Sequence, residues 1–143
     1  MQPPRIPVLL SGDQAVVYFV TICVEKRQRV LDNTATWNLI QSTLQRLDRW
    51  SYPAALAMPD HLHFFAAPCI NSDESLSTML MWFKRWFHES SPHKWRWQIS
   101  GFDRLLRRDE SVDEKWHYMR MNPVRANLVT SADDWPYQFT EFR

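Results

Sequence analysis

A pair of short apolar runs joined by a tight turn most constrains the fold of this chain. Residues 51–58 and 61–67 are strand-like, and Pro59 and Asp60 between them are typical turn residues. So short a connection can join only antiparallel neighbours. The sequence therefore predicts a β-hairpin and, with it, an antiparallel sheet.

Further strands and helices are predicted on both sides of this hairpin. In chain order they are a buried strand over 15–24, a helix capped at 32–34 and ending near 50, a helix over about 73–90 with a capping box at Asn71 and Glu74, short strands within 95–107, and a helix from the capping box of Ser111 and Glu114. Pro123 interrupts the last helix, because the residue before a proline avoids the α region. This order predicts an α+β, ferredoxin-like (RRM-like) antiparallel sheet with helices packed on one face and a C-terminal tyrosine-bearing helix.

The length of 143 residues predicts a single domain over 1–143. The Pro-rich residues 1–14 are expected to form an extended N-terminal arm, and residues 131–143 an irregular tail.

Composition excludes several classes of protein. Gly12 and Gly101 are the only glycines, so the sequence has no P-loop and no dinucleotide fingerprint. Cys23 and Cys69 lie in apolar runs, which is typical of thiols in a reducing compartment. The sequence shows no signal peptide and no run long enough to span a bilayer. We therefore expect a cytoplasmic protein that does not enter a membrane.

Positive charge is concentrated in the central third of the chain. The net charge is only +1, but residues 84–125 carry ten Lys or Arg against six Asp or Glu. This distribution is compatible with a polyanionic ligand and equally with a solvated surface of mixed charge.

His61 and His63 form the first candidate site. On a strand, residues two positions apart project from the same face of the sheet, and Leu62 between them faces the core. Their Cα atoms would lie roughly 6.5–7 Å apart, so both imidazoles could bind one cation. The alternative is one hydrogen-bonded sheet histidine beside one exposed histidine.

Tyr118 and Asn122 form the second candidate site. A spacing of four residues places them on one side of a helix, on the flank of a buried stripe of Val112, Trp116 and Met119. The alternatives are an aromatic residue with a hydrated hydroxyl for Tyr118 and a capping residue before Pro123 for Asn122. The sequence identifies no base that would activate the phenol, since neither Lys115 nor His117 lies on a convincing face.

Cations and aromatic residues alternate around the second helix and in the run 94–97. Single-strand binders combine backbone cations with aromatic stacking platforms. Trp82, Trp86 and Phe87 are more typical of a helix core, whereas Trp95 and Trp97 fit either role.

Four segments together resemble the HUH single-tyrosine transposases of the IS200-like family, and especially the REP-associated tyrosine transposases. They are Tyr18-Phe19-Val20-Thr21, Met58-Pro59-Asp60-His61-Leu62-His63, Gly101-Phe102-Asp103-Arg104-Leu105-Leu106-Arg107, and Tyr118-x-x-x-Asn122-Pro123-Val124-Arg125-Ala126. The chain departs from the family at Asp60, where Asn is usual, and at Asn127, where Gly is usual. Asn127 tolerates the left-handed cap conformation, and Asp60 would add a negative charge beside the metal.

The resemblance implies metal-dependent cleavage and strand transfer of single-stranded DNA that carries REP-like hairpins. Tyr118 would be the nucleophile that forms a 5′-phosphotyrosine intermediate. His61, His63 and Asn122 would bind Mg²⁺ or Mn²⁺, of which Mn²⁺ suits two imidazoles better. The protein would be bacterial, associated with the nucleoid when acting, and a monomer or homodimer. The predicted DNA-binding residues are Lys84, Arg85, Lys94, Arg96, Arg104, Arg107, Arg108, Arg120 and Arg125.

Two other functions remain open at this stage. Ferredoxin-like sheets also serve as non-catalytic single-stranded nucleic-acid-binding modules, although the strands here lack the usual RNA-binding aromatic pattern. A small metallohydrolase could instead use His61 and His63 with a metal-bound water.

Overall fold

The computed structural model describes residues 16–90, 93–99, 102–106 and 112–141. The predicted N-terminal arm at 1–14 and the predicted cap at Ser111 lie outside these ranges. The elements in chain order are β1 (Val17–Cys23), a 3-10 turn (Glu25–Arg27), α1 (Thr34–Arg46), β2 (Trp50–Ser51), β3 (Ala54–Met58), β4 (His61–Pro68), α2 (Leu76–Glu89), β5 (Phe102–Leu106), α3 (Val112–Arg120), α4 (Asn122–Arg125), a 3-10 turn (Ala132–Asp134) and β6 (Gln138–Thr140).

The strands form one antiparallel sheet in the order β5–β1–β4–β3–β6, with the short β2 paired to the end of β4. The succession β1–α1–β3–β4–α2–β5 is the split βαβ arrangement of a ferredoxin-like fold. The predicted α+β fold class is therefore confirmed. No helix among the described residues is long and apolar enough to cross a membrane.

The predicted hairpin is the central feature of the sheet. Pro59 and Asp60 form the turn between β3 and β4, and Met58 pairs with His61 directly beside it. The backbone N–H groups of Val30 and Leu31 donate to the Pro59 carbonyl at 2.8 and 3.0 Å. These bonds hold the turn against the segment before α1, so the start of β4 has a fixed position.

Helices cover both faces of the sheet. The helices α1 and α2 lie on one face, where a large core buries Ile40, Leu44, Met79, Phe83 and Phe87 against Val20, Ile22, Leu62 and Phe64. The tyrosine-bearing helix α3 lies on the opposite face, where Trp116 and Met119 pack with Leu56 and Phe65. The prediction that helices pack on one face of the sheet therefore holds for α1 and α2. Helix α3 packs on the other face and forms a second, smaller core there.

The predicted cap of α2 was wrong. The helix begins at Leu76, and the side chain of Ser75 accepts the N–H of Thr78 at 3.1 Å. Glu74 instead accepts a hydrogen bond from Trp50 Nε1 at 3.0 Å. The Glu74 carboxylate, which the local pattern predicted at the helix terminus, therefore binds the Trp50 indole of strand β2 instead. The predicted cap of α1 within residues 32–34 is confirmed, and it is Asn33, whose side chain accepts the N–H of Thr36 at 2.8 Å.

The prediction of an irregular tail was also wrong for part of residues 131–143. Strand β6 pairs with β3, where Phe139 lies opposite Ala55. Trp135, buried just before this strand, donates its indole N–H to the Ala57 carbonyl at 2.9 Å. This three-residue segment becomes a strand because the edge of β3 offers backbone groups that it can pair with.

Candidate functional site

His61 and His63 lie side by side on the face of the sheet that α3 covers. Their ring centroids are 4.6 Å apart and the rings are nearly perpendicular, at 82°. Leu62 points the other way and is fully buried in the larger core. The expected alternation along β4 is therefore present, and it brings both imidazoles to one place.

A carboxylate orients His61. Its Nδ1 lies 2.7 Å from Asp60 Oδ1, and because a carboxylate only accepts, Nδ1 carries the proton. Arg27 Nε donates to the other oxygen of Asp60 at 3.0 Å. Arg27 Nη2 lies 3.5 Å from His61 Nδ1. This contact is not a hydrogen bond, because both the guanidinium nitrogen and the protonated Nδ1 are donors. The tautomer of His61 is thus fixed, with the lone pair on Nε2.

A hydroxyl from the neighbouring strand contacts His63. Thr21, its partner in the β1–β4 register, places Oγ1 2.9 Å from His63 Nδ1. Phe19 stacks against the imidazole with ring centroids 5.3 Å apart and planes 18° apart. Among the described contacts, both histidines hydrogen bond through Nδ1, which leaves Nε2 as the nitrogen for a ligand.

Burial keeps the two imidazoles neutral. It lowers the pKa of His61, although the hydrogen bond to Asp60 opposes this shift. It lowers the pKa of His63 to about 3, and the charge of Lys115, or of His61 when it is protonated, acts in the same direction. Burial alone would raise the pKa of Asp60, but hydrogen bonds from His61 and Arg27 hold it below its usual range. Neutral imidazoles beside an ionised outer carboxylate are the form that binds metals.

The donor set fits a metal ion only if an amide completes it. In the described ranges, no group of three or more His, Cys, Asp or Glu side chains could hold an ion. The predicted metal ligands are two histidines, His61 and His63, and the amide of Asn122. The extra charge of Asp60 is balanced by Arg27, with which it forms an ion pair.

Tyr118, Asn122 and Arg125 form a separate group on the C-terminal side of α3. Trp116 and Met119 are buried and fix the rotation of the helix, which leaves Tyr118 65% exposed. The Arg125 guanidinium lies 4.1 Å from the centre of the Tyr118 ring, donates to the Tyr118 carbonyl at 2.8 Å, and donates to Asn122 Oδ1. Asn127 adopts the expected left-handed conformation, with φ of 61°.

No hydrogen bond or ring contact between these described residues joins the histidine pair to the tyrosine group. Lys115 of α3 reaches towards the histidine side of the sheet, where its Nζ lies 4.7 Å from the centre of the Phe19 ring. Sequence reasoning set Lys115 aside for lack of a convincing helix face, which was wrong because its Nζ lies over the Phe19 ring. It did not assign Arg27 or Thr21 to this site. Only the strand register, with Thr21 opposite His63, could have indicated one of them.

Several predicted DNA-binding cations already have protein partners. Lys84 donates to the carbonyls of Gln98 and Ile99 at 2.7 and 2.8 Å, and burial lowers its pKa. Arg85 pairs with Glu89 at 3.5 Å. Arg120 pairs with Asp133.

The remaining predicted cations outside the tyrosine group are Lys94, Arg96, Arg104, Arg107 and Arg108. Lys94 and Arg96 are exposed. Arg104 lies opposite Phe19 in the β1–β5 register, and Arg107 and Arg108 fall outside the described ranges. Of the aromatic residues nearby, Phe87 and Trp97 belong to the core, while Trp82, Trp86 and Trp95 pack partly buried against it.

Comparisons with known proteins identify the fold. No family model and no curated protein matches the chain. The structure of the REP-associated tyrosine transposase bound to a REP hairpin has a TM-score of 0.72 at 21% identity, over 96% of this chain and 82% of that one. A provisionally assigned transposase from Deinococcus radiodurans R1 has a TM-score of 0.54 at 15% identity, over 77% of this chain and 92% of that one. At these identities the likeness establishes architecture, and the chain therefore has the fold of the REP-associated tyrosine transposase.

Proposed function

We propose that this protein cleaves single-stranded DNA and transfers the cut strand through a 5′-phosphotyrosine intermediate, as a transposase-like enzyme. The observation that carries the proposal is the pair of neutral imidazoles on the face covered by the tyrosine-bearing helix. The shared fold with a protein bound to a REP hairpin supports DNA that carries a hairpin as the substrate.

The metal would be Mg²⁺ or Mn²⁺, held by His61 and His63 through Nε2 and by Asn122 through Oδ1. Mixed nitrogen and oxygen donors favour Mn²⁺ over Mg²⁺. When bound, such an ion supplies charge for a phosphodiester transition state. Asp60 and Thr21 serve this set by holding the imidazole rings in place.

Tyr118 would act as the nucleophile. Its phenol oxygen forms a bond to phosphorus, the bond from phosphorus to the 3′ oxygen breaks, and the electron pair leaves with that oxygen. The phenol proton goes to solvent, and the 3′ oxygen gains a proton from solvent. The energy of the phosphodiester is kept in the phosphotyrosine, so a second 3′-hydroxyl can reverse the step without ATP.

The cationic side chains would hold the DNA backbone. Lys94 and Arg96 are exposed and could contact phosphates directly. Lys84, Arg85 and Arg120 would have to bind phosphate in addition to the carbonyl or carboxylate groups that they already contact. A protein with this function would work in the bacterial cytoplasm at the nucleoid, as a single-domain monomer or as a homodimer.

A covalent trapping assay tests the proposal. A hairpin oligonucleotide labelled at its 3′ end keeps the label on protein if a 5′-phosphotyrosine forms. We expect a labelled adduct with Mn²⁺, none with EDTA, and none from Tyr118→Phe. Binding that resists EDTA without any adduct would instead indicate a non-catalytic module. Cleavage that survives Tyr118→Phe would indicate a metallohydrolase.

A further inference from the structure

Lys115 of α3 is tied to the histidine pair through the Phe19 ring. Its Nζ lies over the Phe19 ring at 4.7 Å, and the same ring stacks on His63 at 5.3 Å. The two contacts place a cation close to His63, on the face of the sheet where both imidazoles lie. The charge is near enough to act on His63 electrostatically.

No carboxylate among the described side chains forms an ion pair with Lys115. Lys115 is half-buried, and a lysine in such a position usually packs its methylenes and keeps its charge accessible. Lys115 therefore places a positive charge at the proposed phosphodiester site, and no described carboxylate is paired with it. Such a charge favours an anionic ligand.

Lys115 also precedes Tyr118 by three residues. Residues at this spacing on a helix are neighbours, with Cβ atoms roughly 5–6 Å apart. A phosphate presented to the Tyr118 hydroxyl from the side of the histidine pair therefore comes close to the Lys115 ammonium.

We propose that Lys115 is a catalytic residue of this site, whose ammonium contacts a non-bridging oxygen of the scissile phosphate. The inference rests on the proposed function. During attack by Tyr118, negative charge grows on the non-bridging oxygens as one bond to phosphorus forms and the other breaks. Lys115 supplies charge to these oxygens and exchanges no proton, so the proton balance given above is unchanged.

The experiment compares Lys115→Met with Lys115→Arg in the covalent trapping assay at saturating DNA. Methionine keeps the apolar contact with Phe19 and removes the charge. We expect Lys115→Met to slow adduct formation about 100-fold or more, as for loss of one preorganised donor. Lys115→Arg should recover much of the rate. Arg29→Gln, an exposed cation outside the site, controls for net charge.

A second substrate shows whether Lys115 acts on the phosphate itself. With a methylphosphonate at the scissile position, the non-bridging charge is already absent, so Lys115→Met should slow the reaction only a few-fold. A readout without catalysis is the Mn²⁺ affinity of the free protein, which should rise in Lys115→Met because a nearby cation is removed.

Equal losses on both substrates, or an unchanged adduct rate in Lys115→Met, would overturn the role of Lys115 and leave the proposed function intact. Absence of any adduct from the wild-type protein would overturn both.

Discussion

His61 donates its Nδ1 proton to Asp60 over 2.7 Å, so that Nε2 of that imidazole carries the lone pair. Arg27 completes a chain of three side chains by donating to the same carboxylate at 3.0 Å. An outer carboxylate that orients a ligating histidine is a recurrent feature of metal sites. Asp60, at the position where the similar transposases usually have Asn, therefore orients the imidazole that we propose as a metal ligand.

Asp60→Ala should weaken Mn²⁺ binding by about 10–100-fold, because His61 loses the group that fixes its tautomer. Asp60→Asn should lose less, since its amide oxygen still accepts the Nδ1 proton. Titration calorimetry with Mn²⁺ in the absence of DNA measures the affinity. Asp48→Ala, an exposed carboxylate away from this site, is the control, and equal affinity in all four proteins would contradict this role.

Tyr118→Phe should abolish the covalent adduct and leave the fold intact. The side chain is 65% exposed, so removing its hydroxyl should change the free energy of unfolding by less than about 0.5 kcal/mol. Urea denaturation and the trapping assay together separate these effects. A variant that loses the adduct through a large loss of stability would not support a role in chemistry.

Stability should fall as the pH is lowered below about 6.5. The pKa of folded His63 is about 3, against 6.5 for an ordinary imidazole, so the unfolded chain binds a proton first. The stabilisation is complete above 6.5 and is lost as the pH falls from 6.5 towards 3. One such histidine changes the free energy of unfolding by up to about 1.4 kcal/mol per pH unit.

Urea denaturation between pH 7.5 and 4.5 in EDTA measures this slope. His63→Gln should reduce the dependence of the unfolding free energy on pH. Part of this dependence should remain, because burial also lowers the pKa values of His61 and His88. Identical slopes for the wild-type protein and His63→Gln would contradict the assigned environment of His63.

Arg125 should compete with metal for Asn122. The guanidinium donates to Asn122 Oδ1, the atom that would bind the ion. Arg125→Met should therefore raise the affinity for Mn²⁺ several-fold, whereas Asn122→Ala should lower it. Arg29→Met controls for charge. If Asn122→Ala binds Mn²⁺ as tightly as the wild-type protein, Asn122 is not a ligand.

Trp135→Phe should destabilise the protein by about 1–3 kcal/mol, because the Ala57 carbonyl loses its partner in a buried position. Trp82→Phe, at a half-buried surface position, should cost much less. Thermal unfolding of both variants tests whether the tail is an integral part of the sheet. Equal melting temperatures would show that β6 and the turn before it contribute little.

Local pattern was sufficient where neighbouring residues determine the structure. The turn at Pro59 and Asp60, the cap at Asn33 and the alternation of His61, Leu62 and His63 follow from rules that act over a few residues. The order of these elements then predicted the sheet.

Tertiary contacts account for what the sequence did not reveal. Glu74 accepts a hydrogen bond from the Trp50 indole and does not cap α2. Strand β6 pairs with the edge of β3. The position of Lys115 depends on which face of the sheet α3 covers, and helical spacing alone cannot determine that face. The third metal ligand and the nucleophile stay predictions for the same reason.

Anomalous diffraction from crystals of the protein grown with Mn²⁺ and a hairpin oligonucleotide tests the central claim most directly. We predict one Mn²⁺ bound by Nε2 of His61 and Nε2 of His63, with the Tyr118 hydroxyl of the same chain or of a partner subunit facing a phosphate at that ion. A Mn²⁺ peak away from both imidazoles, or a site that no Tyr118 hydroxyl can approach, would contradict the account.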